Sequence, residues 1–147
     1  MRIQQKRLEM QRVIKIRAEE KIENVLDMIK EIKEALLSKN LYSTSPIVFQ
    51  YSKEAEVAKL DLYLQLNREF KIESNEQISY MDSLVYENCL YARYLPEEYT
   101  GEIMENILQN KAKEDGFTID SLFYVIIPIP GGRVMDIYAP IRQGEKS

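Results

Sequence analysis

The stretch LFYVIIPIPGGRVMDIYAPI, residues 122–141, sets two apolar runs on either side of Pro130, Gly131 and Gly132. Pro followed by Gly is a tight-turn signal, and Val-, Ile- and Tyr-rich runs flanking such a turn read as the two strands of a hairpin. The second run nevertheless carries an acid, Asp136, between Met135 and Ile137. Side chains alternate between the faces of a strand, so Met135, Ile137, Ala139 and Ile141 share one face, and Asp136 and Tyr138 the other. The acid lies either on a wet face or in the lining of a site.

Working outward, SLVYENCLYARYL (residues 83–95) is strand-like. Pro96, Glu97 and Glu98 suit the first turn of a helix running to about Glu114, with Tyr99, Ile103, Ile107, Leu108 and Ala112 inward and Gly116 as its stop. The first half shows the same order. Leu8, Met10, Ile14 and Ile16 keep strand parity, with Arg12 the exception. From Ala18 the apolar spacing turns helical through Ile22, Val25, Leu26, Ile29, Ile32 and Leu36, and Asn40 marks the end. One long coiled-coil helix over both stretches is the alternative. IVFQY follows, then VAKLDLYLQLN, in which Leu60, Leu62, Leu64 and Leu66 alternate with Asp61, Tyr63 and Gln65.

The chain thus reads strand-helix-strand-strand twice: a half at about 8–67, a polar linker at 68–82, and a half at about 83–141. The expected fold class is α+β, with duplicated β-α-β-β units forming one antiparallel sheet and two helices on one face. The face away from the helices is expected to carry Asp61, Tyr63, Gln65, Tyr124, Asp136 and Tyr138. The tail RQGEKS reads as a frayed end.

Composition removes most catalytic options. The 147 residues suit a single domain, and they include no His, no Trp and one cysteine, Cys89. Imidazole catalysis, an internal disulfide and a thiolate metal cage are therefore excluded, and neither cofactor nor metal is expected. The net charge of −4 argues against a nucleic-acid partner. Residues 1–21 are locally basic, with seven cations against three acids, which reads as a solvated strand. No run is apolar enough to span a bilayer and no secretory signal is present, so a cytoplasmic location is expected.

The repeated order, the PEEY opening of the second helix and FYVIIPI…RVMDIYAPI resemble the GyrI-like (SOUL-like) domain, over about residues 8–141. That is the effector-binding fold of multidrug regulators and gyrase-inhibitor-like proteins. LYSTSPIVF after the first helix resembles, more narrowly, a GyrI-like family of Gram-positive bacteria encoded beside LXG-type toxins in type VII secretion clusters. The resemblance implies a cleft for cationic aromatic ligands, with tyrosines for stacking and acids as countercharge. Of its two pocket acids, one falls on Tyr124 here and the other on Asp136. No helix-turn-helix precedes the domain, so a self-sufficient regulator is not expected.

Two functions follow as expectations. The first is a non-enzymatic accessory protein, an adaptor, chaperone or immunity-type partner of an LXG-type toxin or secretion component. The second is a module binding a small aromatic or cationic ligand. The candidate ligand- or partner-binding residues are Asp61, Tyr63, Glu87, Tyr124, Asp136 and Tyr138. Glu87 is also placed to pair with Arg93 on solvent, and Cys89 reads as a small buried hydrophobe.

Overall fold

A computed structural model describes residues 2–143. Residues 144–147, the end of the tail read as frayed, lie outside the described residues. The protein has a mostly antiparallel sheet and two helices: β1 (Gln4–Lys21), α1 (Val25–Leu37), β2 (Val48–Glu54), β3 (Val57–Gln65), β4 (Ile78–Tyr94), α2 (Gly101–Glu114), β5 (Phe117–Ile119), β6 (Phe123–Ile129) and β7 (Gly132–Gln143). Contacts divide it into two compact units. The first unit is Met10–Leu84, and the second is formed by the described residues on either side.

In the first unit β3 is flanked antiparallel by β1 and β2, with Ile14 opposite Leu64, Ile16 opposite Leu62 and Phe49 opposite Leu62. This face is the core. Ile14, Leu36, Leu41, Leu60, Leu62, Leu64 and Leu66 are buried in it, and Val25, Met28, Ile29 and Ile32 of α1 pack against them. The strict alternation of leucines in β3 is therefore the apolar face that α1 covers, as its period requires. Phe70 and Ile72, from the stretch read as a polar linker, also pack on this core.

The strand persists further than its helical-looking sequence suggests. β1 pairs with β3 out to Lys21 opposite Val57, and a three-residue 3-10 turn (Ile22–Asn24) precedes α1. Ladder hydrogen bonds to an adjacent strand outweigh the weak helix preference of residues 18–24. α1 ends in a Schellman arrangement, Leu41 N–H donating to Leu36 C=O and Asn40 N–H to Leu37 C=O, with Asn40 at φ 61°. Arg12, the break in strand parity, is a left-handed residue at φ 53°. Its carbonyl accepts from Leu66 N–H and its Nε donates to Leu66 C=O at 3.0 Å.

In the second unit β7 is flanked by β4 and β6, and its end pairs with β5. Arg142, read as part of the frayed tail, is in β7 and forms a bidentate pair with Asp120, Nη2 lying 3.1 Å from Oδ1. α2 starts at Gly101, not at Pro96, because Thr100 is its cap and accepts from Ile103 N–H at 3.2 Å. Met104, Leu108 and Ala112 form its buried stripe, whereas Ile103 is 46% exposed. Pro130 and Gly131, the latter at φ 80°, make a two-residue turn that pairs Ile129 with Gly132.

Leu64→Ala should cost about 2–5 kcal/mol in urea unfolding, since the side chain is fully buried in the first-unit core. Leu26→Ala, at a position 63% exposed, should stay within about 0.5 kcal/mol of the parent.

Candidate functional site

Each unit carries an Asp-x-Tyr tripeptide on its flanked strand: Asp61-Leu62-Tyr63 in β3 and Asp136-Ile137-Tyr138 in β7. Directly opposed residues in an antiparallel pair share a face. In the first unit Asp61 therefore meets Arg17 on β1 and Gln50 on β2, while Tyr63 meets Lys15 and Val48. In the second, Asp136 meets Arg93 on β4 and Val125 on β6, while Tyr138 meets Tyr91 and Phe123. The same acid-arginine and tyrosine positions recur, with different neighbours.

Those neighbours make two different environments. Asp136 accepts from Arg93 Nε at 2.7 Å and Nη2 at 3.0 Å, and its side chain is only 6% exposed. Tyr91 and Tyr138 lie with ring centroids 5.0 Å apart, and Lys6 Nζ sits 4.0 Å from the centre of the Tyr91 ring. The hydrogen bond and charge of Asp136 hold the Arg93 guanidinium further into its protonated form. Desolvation, then the Asp136 charge, pushes the Tyr91 hydroxyl up to about 12 and raises that of Tyr138. Fully buried Cys89 is likewise pushed up by desolvation, to about 11, and its thiol stays neutral and unreactive near pH 7. This is a closed, internally paired cluster.

The first-unit cluster is more polar and more open. Arg17 Nε donates to Asp61 Oδ1 at 3.1 Å, Lys15 Nζ lies 4.0 Å from Oδ2, and the Asp61 side chain is 23% exposed. Tyr63, itself buried, donates its hydroxyl to Gln50 Oε1 at 2.8 Å, and Lys15 Nζ lies 5.6 Å from its ring centre. Beside this network is a cavity of about 440 Å³ lined by Arg17, Gln50, Tyr51, Ser52, Lys59 and Asp61. A second, of about 200 Å³, is lined by Lys15, Arg17, Asn75, Glu76, Gln77 and Ser79. Arg17 borders both. Among the described residues, no three Asp, Glu or Cys side chains converge as a metal site.

The six sequence candidates fall in both units. Asp61 and Tyr63 belong to the open network, and Asp136 and Tyr138 to the closed one. Glu87 is exposed and pairs with Arg7 at 3.4 Å; the partner expected for it, Arg93, is held by Asp136 instead. Tyr124 is on the other face. The two-residue turn puts it opposite Ile137, and its hydroxyl donates to Glu105 Oε1 of α2 at 2.6 Å. A turn one residue longer would have placed it opposite Tyr138, since a one-residue slip swaps faces. Arg17, Lys15, Gln50, Ser52, Lys59 and Arg93 were not singled out as site residues. The signal for the arginines is the pair of tripeptides Lys15-Ile16-Arg17 and Tyr91-Ala92-Arg93, which match the two Asp-x-Tyr strands register for register.

Stability measurements separate the two pairs. Arg93→Ala strands a buried carboxylate and should cost about 3 kcal/mol or more by urea unfolding at pH 7. Arg17→Ala leaves Asp61 partly solvated and beside Lys15, and should cost less than about 1 kcal/mol.

No protein-family model and no curated protein sequence matches the chain. Solved structures do. The chain is similar to EcmrR in a cryo-EM structure of its DNA complex, at TM-score 0.68 and 13% identity over 96% of this chain, and it spans 58% of that chain. It is similar to the separate EcmrR C-terminal domain at TM-score 0.58 and 12% identity, covering 97% of this chain and 99% of that one. SAV2435, solved bound to tetraphenylphosphonium, matches at TM-score 0.52 and 11% identity over 97% and 94% of the two chains. A structure described as a hydrolase from Listeria innocua matches at TM-score 0.54 and 9% identity over 94% and 91%. At these identities the likeness concerns the fold.

Proposed function

We propose that this chain, which shares the GyrI-like fold of the EcmrR C-terminal domain, is a non-enzymatic module that binds a small organic molecule. One observation carries the reading. The acid-arginine device that is closed in the second unit opens, in the first, onto the cavity beside Arg17, Gln50, Ser52 and Asp61. A concave site with a few converging polar groups is the usual form of a small-molecule pocket. The fold supports the reading as well, since SAV2435 was solved holding a small aromatic ligand.

Non-enzymatic action is supported by the chemistry at hand. The chain has no histidine, its thiol is buried and kept neutral, and both strand acids are held by arginines. The matched registers also support reading the two units as copies of one β-α-β-β plan, of which one keeps the site open. No helix among the described residues is long and apolar enough to cross a membrane, and a cytoplasmic role remains part of this proposal. An adaptor role beside an LXG-type toxin rests on the sequence resemblance alone.

A thermal-shift screen of small aromatic compounds against wild type and Ser52→Trp tests the reading. Ser52 is exposed and lines the cavity, so the indole should plug it with little change in ligand-free stability. A compound at a hundred times its Kd should stabilise wild type by about 2.7 kcal/mol and leave Ser52→Trp unaffected. Equal stabilisation of both proteins, or no stabilising compound, would contradict it.

A further inference from the structure

The charges around the first-unit cavity narrow what it takes. The acid that lines it, Asp61, is already neutralised by Arg17 at 3.1 Å and Lys15 at 4.0 Å. A cationic ligand would have to displace both and would meet Lys59 as well. Lys59 is only loosely engaged: its Nζ lies 4.0 Å from Glu54 Oε2, and the two side chains are 53% and 79% exposed. Such an exposed pair is worth little and exchanges readily. Three cations, Lys15, Arg17 and Lys59, line the two cavities with the acids Asp61 and Glu76, and Glu54 and Glu19 flank Lys59 outside the lining.

The hydrogen bond of Arg17 also orients it. Its Nε is the nitrogen that donates to Asp61, which leaves the paired Nη groups to a second partner. A guanidinium donates through a rigid fork matched to carboxylate geometry, and here Asp61 restrains it before any ligand arrives. We infer, resting on the binding-module reading above, that the ligand of this cavity is an organic acid. Its carboxylate lies between Arg17 and Lys59, and Gln50 and Ser52 hydrogen-bond its polar substituents. The sign is opposite to that of tetraphenylphosphonium, the ligand found with SAV2435. The difference is chemical: this chain answers its own acid with its own cations.

Three probes of one shape test this on the full chain: 1-naphthoate, 1-naphthalenemethanol and 1-naphthylmethylammonium, titrated calorimetrically at low and high salt. Wild type should bind naphthoate at least about tenfold more tightly than the alcohol, and more weakly at high salt. Arg17→Gln and Lys59→Gln should each weaken naphthoate by about tenfold, with urea midpoints confirming that both variants fold. Preference for the ammonium probe would overturn the charge inference and leave the binding-module reading standing. Naphthoate binding that both variants retain in full would place it elsewhere and overturn the inference too. If none of the three probes binds, the module reading fails and the inference falls with it.

Discussion

A carboxylate in the middle of a sheet strand, between apolar neighbours, must be answered by a cation on the strand beside it, because an unpaired charge there is costly to desolvate. This chain meets the requirement twice in one way, with an arginine at the directly opposed position of the antiparallel neighbour. The rest of the structure follows from keeping those registers. The continuous register of β1 on β3 brings Arg17 level with Asp61 while Ile14 and Ile16 face α1. The Pro130-Gly131 turn fixes β6 against β7 and with it the face that each tyrosine occupies.

What differs between the units is the company the pair keeps. Beside Asp136 the flanking side chains are Val125, Phe123, Tyr91 and Tyr138, so the pair is desolvated and the hydroxyls near it resist ionisation. A buried pair of this kind is weak as a source of stability and strong as a constraint, because losing either member strands the other. Beside Asp61 the corresponding positions are Gln50 and Lys15, with water-accessible space at hand. The same device thus locks one unit and presents donors in the other. Function on this account comes from a substitution of neighbours around a retained pair of residues.

Much of this was legible in the sequence. The leucine alternation of residues 60–66 gave the core face of β3, and Asn40 gave the end of α1, because period and left-handed tolerance are local properties. Asp61, Tyr63, Asp136 and Tyr138 were legible as the polar face for the same reason. Tyr124 was not, since its face depends on whether Pro-Gly-Gly turns in two residues or three, a difference that one strand's composition does not encode. The partners Arg17 and Arg93 depend on register across strands 43 and 44 residues apart, which no local pattern carries. The boundary at Lys21 failed for a related reason: residues 18–24 look helical alone, and pairing with β3 decides otherwise.

The most direct test of the central claim is to map where a bound ligand touches the protein, by following backbone amide shifts during a naphthoate titration. The account predicts that the largest changes fall on Arg17, Gln50, Ser52, Lys59 and Asp61, with Tyr91, Asp136 and Tyr138 little moved. Changes centred on Tyr91, Asp136 and Tyr138 would contradict it, and would make the closed pair of the second unit the binding site.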